Sequence, residues 1–215
     1  MRLRKLKHAS ERLEKHPDFV ILNPLDYKGK WNQLFAKKQP IHLEIGMGKG
    51  KFIIAMAKQN PHINFIGMER EDSVLVKAVE KEENPLPNLV YILGDAKDSL
   101  SLFEKEEVAM IYLNFSDPWP KNRHTKRRLT SDNLLMSYQS ILQKNGIIEM
   151  KTDNRKLFEF SVLQFIEQGF QVMEWSLHLH EDRQDVITTE YEERFLQENK
   201  TIYYVKVKNG TNEII

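Results

Sequence analysis

The sequence contains no cysteine. That one absence removes disulfides, thiolate-held zinc, iron–sulfur clusters and a cysteine nucleophile. No apolar run approaches the roughly 18 residues that a membrane-spanning helix needs. The first sixteen residues are basic but carry no apolar signal-peptide core, so a cytoplasmic chain is expected. Internal repeats, low-complexity tracts and glycine–serine linkers are missing as well. At 215 residues the chain fits one domain with a sizeable core. Its net charge is only +1, which argues against positive charge spread over the whole surface.

What charge there is, the sequence segregates. Arg2, Arg4, Lys5 and Lys7 form one basic cluster, and Lys121, Arg123, Lys126, Arg127 and Arg128 form a second with no acid among them. Acid concentrates in 181–198, where Glu181, Asp182, Asp185, Glu190, Glu192, Glu193 and Glu198 outnumber Arg183 and Arg194. A local basic footprint is the electrostatic mark of nucleic-acid binding. The bland alternative is a solvated charge run.

Hydrophobic spacing predicts alternating strands and helices. Strands are expected at 41–45, 64–68, 89–93, 108–113 and 146–150, with helices at 51–59, 71–83, 98–104, 131–143 and 154–168. Two further alternating segments, 171–177 and 201–208, flank a helical one at 188–199. This is an α/β pattern, a doubly wound and mainly parallel sheet with one strand reversed. Residues 1–40 read as a basic N-terminal extension, with a short helix near 9–15, ahead of the main domain at 41–215.

The turn Gly46-Met-Gly-Lys-Gly50 follows the first of these strands, where glycine permits positive φ and close approach of a ligand. Its spacing is not that of the dinucleotide fingerprint, and a purely structural turn stays open. Glu44 lies beneath it, Glu69 ends the second strand and Asp95 follows the third. Glu69 is placed to accept from ribose hydroxyls, Asp95 from an adenine amino group. Three carboxylates around one crevice suit a cationic ligand such as S-adenosylmethionine better than a pyrophosphate. NAD remains the rival, since its sites also carry an acid after the second strand.

Residues 114–129 are the most informative stretch. Asp117 stands between Ser116 and Pro118, Trp119 between two prolines, and the second basic cluster follows directly. The preceding apolar strand delivers Asp117 to a carboxyl end, where open α/β sheets hold ligands. The five cations are candidates for phosphate contacts, and Trp119 either stacks on a base or packs at the core edge. His124 touches phosphate or makes a structural hydrogen bond. Asp153 and Thr189 each have a second reading as helix caps. His178 and His180, expected on one strand face, lack a third ligand, so no metal is expected.

Together, Glu44-Ile-Gly-Met-Gly-Lys-Gly50, Gly67-Met-Glu69, Asp95-Ala96, Leu113-Asn-Phe-Ser-Asp-Pro-Trp-Pro-Lys121, Arg123-His124, Lys126-Arg127-Arg128-Leu129, Lys151-Thr-Asp153 and Thr189-Glu-Tyr-Glu192 resemble the bacterial tRNA (guanine-N7-)-methyltransferases. The resemblance runs from about 40 to 195. Asn122 occupies a slot that is often basic in that family. The resemblance implies a Rossmann-like class I methyltransferase fold with a seven-stranded sheet whose final strand is reversed. It implies S-adenosyl-L-methionine held by Glu44, Gly46, Gly48, Gly50, Glu69, Asp95 and Asp117, with Asp117 also the catalytic acid. It further implies tRNA as substrate, methylated on N7 of a variable-loop guanine. Lys121, Asp153, Thr189, Glu190, Tyr191 and Glu192 then fall on substrate-binding positions, and Arg123, His124, Lys126, Arg127 and Arg128 join them as candidate contacts to the RNA phosphates. Monomer and homodimer stay open. The rival functions are a methyltransferase for small molecules or proteins and a non-catalytic RNA-binding protein.

Overall fold

A computed structural model describes residues 6–81 and 84–210, so Arg2, Arg4 and Lys5 of the first basic cluster lie outside the described residues. The chain runs α1 (Ala9–Leu13), β1 (Val20–Ile21), β2 (Ile41–Ile45), α2 (Lys51–Gln59), β3 (Asn64–Glu69), α3 (Asp72–Val79) and β4 (Leu89–Leu93). It continues through α4 (Ser99–Leu102), β5 (Val108–Asn114), α5 (Asp132–Ile141), β6 (Leu142–Thr152) and α6 (Arg155–Glu167). It then runs through β7 (Gln171–Ser176), α7 (Leu179–Asp182), α8 (Glu190–Gln197) and β8 (Tyr203–Lys208).

Central strands are buried on both faces, as a sheet flanked by helices requires. Every residue of β3 is buried, and so are four of the five residues in β2. The strand order is β1-β4-β3-β2-β5-β6-β8-β7, with β8 antiparallel to both neighbours and the remaining pairs parallel. The reversed final strand is therefore present, but the sheet has eight strands rather than seven. The addition is β1, which pairs Val20 with Tyr91 and Ile21 with Ile92. Two residues are too few to show a period, so this edge carries no sequence signal.

Residues ahead of β2 share the main core. Trp31 is fully buried, stacks on Phe103 at 5.3 Å and donates from Nε1 to the Leu102 carbonyl at 2.9 Å. Helix ends follow local chemistry. The Asn154 side chain accepts from the Leu157 N–H at 2.9 Å and starts α6, whose Leu157, Phe158, Ser161 and Phe165 face inward. Because β2, β3, β4 and β5 are mutually parallel, their carboxyl ends share one edge of the sheet, the edge where such folds place ligands.

Candidate active site

The glycine turn leaves β2 with φ of 75° at Gly46, 59° at Gly48 and 80° at Gly50. A Cβ on Gly46 or Gly48 meets nothing within 4 Å, so backbone conformation demands glycine there, and the space above is open to a ligand. Glu69 holds the turn in shape. Its Oε2 accepts from the Gly48 N–H at 3.0 Å, and its Oε1 accepts from the N–H groups of Arg70 at 2.9 Å and Glu71 at 3.0 Å. Burial pushes this carboxyl above the ordinary range, while the N–H donors pull it down. Asp95 accepts from the Lys97 N–H at 3.2 Å. It lines a cavity of about 460 Å³ with Arg70, Glu71, Leu93, Gly94 and Asp98. Leu93 is left exposed by the core and forms an apolar wall there.

Glu44 is buried below the turn. Its Oε1 accepts from Asn114 Nδ2 at 2.8 Å, and its Oε2 has no partner among the described residues. Desolvation, aided by the nearby Glu69 charge, raises its pKa from 4.5 to about 8, against the opposing pull of Asn114, Lys151 and the Ile53 N–H. Glu44 lines a second cleft with Gly46, Gly48 and Phe52, which Thr189, Glu190 and Tyr191 also border. The entry to α8 therefore borders the same space as the glycine turn. Ion pairs fasten the helix there: Glu190 to Lys49 at 3.3 Å and to Lys81 at 3.2 Å, and Glu193 to Lys51.

Asp117 lies on the loop after β5 with its side chain exposed, and Arg70 Nη2 stands 3.6 Å from its Oδ2. The two aromatic residues on either side of it adopt left-handed conformations, Phe115 at φ 51° and Trp119 at φ 41°. Bulky side chains rarely accept that region, so such strain persists only where surrounding contacts enforce it. Those contacts are visible. The Phe115 N–H donates to the Lys151 carbonyl at 2.8 Å. Arg128 donates from Nε to the Pro118 carbonyl at 3.0 Å and from Nη2 to the Trp119 carbonyl at 3.2 Å. The Arg128 guanidinium also lies 4.3 Å from the Phe160 ring.

Arg128 thus clamps the loop, whereas Lys121, Arg123, Lys126 and Arg127 are exposed and none of them makes an ion pair among the described residues. They sit on and beside a 3-10 turn at Asn122–Arg127. Arg127 lies 4.8 Å from the Trp119 ring, and His124 packs on the same ring at 5.7 Å. Arg123 Nε also stands 3.3 Å from His124 Nε2.

Around 151–153 and 189–192 the structure separates residues that the sequence groups together. Glu192 is fully buried: its Oε2 accepts from Lys151 Nζ at 2.6 Å and from the Thr189 N–H at 3.2 Å, and its Oε1 pairs with His180 Nε2 at 2.8 Å. Thr189 Oγ1 accepts from the Glu192 N–H at 3.0 Å, which completes a capping box for α8. Glu192 thus faces inward rather than toward the cleft. Tyr191 is exposed, and Asp153 lies 3.8 Å from Lys200, the capping of α6 falling to Asn154 instead. His178 and His180 do not share a strand face, because β7 ends at Ser176 and both belong to the α7 turn. No metal-binding group of three acidic or histidine side chains occurs among the described residues. No described helix is long and apolar enough to cross a membrane. Arg70, Leu93, Asn114 and Lys151 were absent from the site residues expected on sequence grounds; a position beside a strand-end acid is the one signal that favours Arg70.

Comparison with known proteins places this geometry. The family described as "Putative methyltransferase" matches residues 38–205. A tRNA (guanine-N(7)-)-methyltransferase of Listeria welshimeri is 50% identical over 214 residues, 99% of this chain and 100% of that protein. The enzyme of the same name from Streptococcus sanguinis is 48% identical over 208 residues, 96% of this chain and 98% of that protein. Among solved structures, the 16S rRNA methyltransferase KamB superposes with a TM-score of 0.65 at 16% identity, over 84% of this chain and 92% of that one. A 16S rRNA (adenine(1408)-N(1))-methyltransferase variant from Catenulisporales acidiphilia, solved with cosubstrate SAM, gives 0.63 at 14% identity, over 89% and 93%. These two likenesses establish the class I methyltransferase fold.

Proposed function

The chain belongs to the tRNA (guanine-N(7)-)-methyltransferase family, and from that premise we propose that its crevice moves the methyl group of S-adenosyl-L-methionine to N7 of a guanine in the tRNA variable loop. One observation carries the reading: the buried Glu44 carboxylate below the glycine turn and a loop that sets half-buried Trp119 among exposed cations meet at one sheet edge. The residues fit a cationic donor. Glu44 Oε2 lacks a partner, Gly46 and Gly48 face open space, and Glu69 keeps lone pairs beyond its three backbone bonds. Bound there, S-adenosylmethionine supplies an electrophilic methyl group on a positive sulfur.

Guanine N7 carries a free lone pair, so no side chain needs to remove a proton before attack. Alignment and electrostatics are the protein's task. Asp117 faces the purine as positive charge grows on it. A-form RNA hides its major-groove edge from side chains, so the base is loop-exposed or drawn from its stack, and Trp119 offers a surface for it. Lys121, Arg123, Lys126 and Arg127 hold phosphates without reading sequence, while Arg128 keeps the loop in shape. Asp153, Glu190 and Tyr191 contact the guanosine. Thr189 and Glu192 support them through the cap and the Lys151 bridge. The protein works in the cytoplasm, as a monomer or a homodimer.

Incubation with labelled donor and bulk tRNA, followed by nucleoside analysis, yields 7-methylguanosine on this reading. Label found instead on protein or small metabolites, or tRNA binding without any donor binding, overturns it.

Glu44 makes donor binding pH-dependent. Its folded pKa of about 8 exceeds the ordinary 4.5. The stability it contributes is therefore complete below about pH 4.5 and is lost as pH rises through about 8. A bound cation favours the ionised form and expels the proton. Donor affinity should then strengthen as pH rises toward 8, by up to about tenfold per unit, and calorimetry in buffers of different ionisation heat should register the released proton. Glu44→Gln removes that slope; a variant that keeps the wild-type slope shows that Glu44 is not the group responsible.

A further inference from the structure

Asp117 is poorly held for a residue that must meet a growing charge. Its side chain is 68% exposed, and the one ion pair it makes among the described residues is with Arg70. An exposed aspartate on a loop samples several rotamers, and misplacement of a reacting group by about 1 Å can cost on the order of 100-fold in rate. Arg70 is placed to restrict it. Its backbone N–H is fixed by Glu69 at 2.9 Å, and its Nε lies 3.6 Å from Glu71 Oε1. The guanidinium thus stands between two carboxylates, 3.6 Å from an oxygen of Glu71 and 3.6 Å from one of Asp117.

The topology gives this contact its meaning. Arg70 follows β3 and Asp117 follows β5, and the strand between them is β2, which feeds the glycine turn. The pair therefore spans the carboxyl end of β2, at the mouth of the donor crevice. Arg70 is also the lone cation in the lining of the 460 Å³ cavity, among Glu71, Asp95 and Asp98. Anchoring Oδ2 through Arg70 leaves Oδ1 of Asp117 for the substrate.

We propose that Arg70 is the positioning residue of Asp117, fixing one carboxylate oxygen at the crevice mouth so that the other faces the guanine. This rests on the function proposed above. Arg70 acts through Asp117 and does not itself contact the reacting atoms. Because the pair is exposed, folding does not depend on it.

The test is a double-mutant cycle on 7-methylguanosine formation. Arg70→Gln lowers kcat by about tenfold, with KM for tRNA and Kd for S-adenosylmethionine within about twofold of wild type. Arg70→Lys recovers part of the loss, and in an Asp117→Asn background Arg70→Gln changes kcat by less than about twofold. A rise in tRNA KM with kcat intact makes Arg70 a phosphate contact and overturns the proposal. So does a loss additive with Asp117→Asn, or an unchanged kcat. Wild-type protein that forms no 7-methylguanosine at all instead defeats the function on which the proposal rests.

Discussion

Asp117→Asn lowers the rate of tRNA methylation by about 100-fold or more, while affinity for S-adenosylmethionine stays within about threefold. Asparagine keeps the shape of aspartate and one carbonyl acceptor but has no charge. The missing charge matters little before reaction, because the side chain is exposed and water screens it. It matters as the methyl group transfers, when positive charge arises on the purine and water has been excluded. A fixed charge in a dry site is worth far more than the same charge in solvent. Single-turnover rates at saturating donor, beside donor affinity from calorimetry, separate the two effects. Equal losses in rate and donor affinity would move Asp117 out of the chemistry and into the donor site. An unchanged melting temperature is expected, since the substitution buries nothing.

Lys151→Ala destabilises the protein by about 3–5 kcal/mol. The side chains of Lys151 and Glu192 are 6% and 0% exposed, and Lys151 Nζ also donates to the Ile187 carbonyl at 2.8 Å. Removing the lysine leaves the Glu192 carboxylate enclosed with His180 as its remaining side-chain partner. An uncompensated buried charge is among the few single changes that cost this much. For a chain of this size the melting temperature should fall by about 6–20 °C. Lys151→Met combined with Glu192→Leu removes both charges together and should cost much less, because the penalty lies in the orphaned partner rather than in the missing bridge. A shift below about 2 °C for Lys151→Ala would show that water reaches Glu192. Tyr191→Ala, on the exposed side of the same helix, should leave the melting temperature unchanged and weaken tRNA methylation.

How far the sequence disclosed this protein depends on the range of the physics involved. The strand at 89–93 was legible as an unbroken apolar run, which burial on both faces favours, and those at 41–45 and 64–68 as short apolar-rich stretches. The places of Glu44, Glu69 and Asp95 at the carboxyl ends of neighbouring parallel strands were legible because each follows an apolar-rich stretch. The cap reading of Thr189 was legible too, since a capping box is written in four consecutive residues. Other features had no local trace. β1 is two residues long, and its partner lies about seventy positions away. The left-handed φ values at Phe115 and Trp119 run against the preference of aromatic residues, and contacts distant in sequence, those of Arg128 and Lys151 among them, accompany them. Arg127 and Arg128 are neighbours in one cationic run. One stays at the surface beside Trp119, and the other turns inward onto two carbonyls. Composition cannot distinguish two such arginines.

The position of β8 has a consequence for biosynthesis. It is translated after β7, yet it lies between β6 and β7 and bonds to both. While a nascent chain carries β7 alone, that strand has no neighbour in the sheet. Ribosomes that stall before Tyr203 would display an unpaired edge, the kind of surface that recruits chaperones or aggregates. The acidic helix over the glycine turn is likewise made late. Its contacts with Lys49 and Lys51 close more than a hundred residues after those lysines emerge. The second cleft therefore gains its border from this helix only once residues 189–197 have been made.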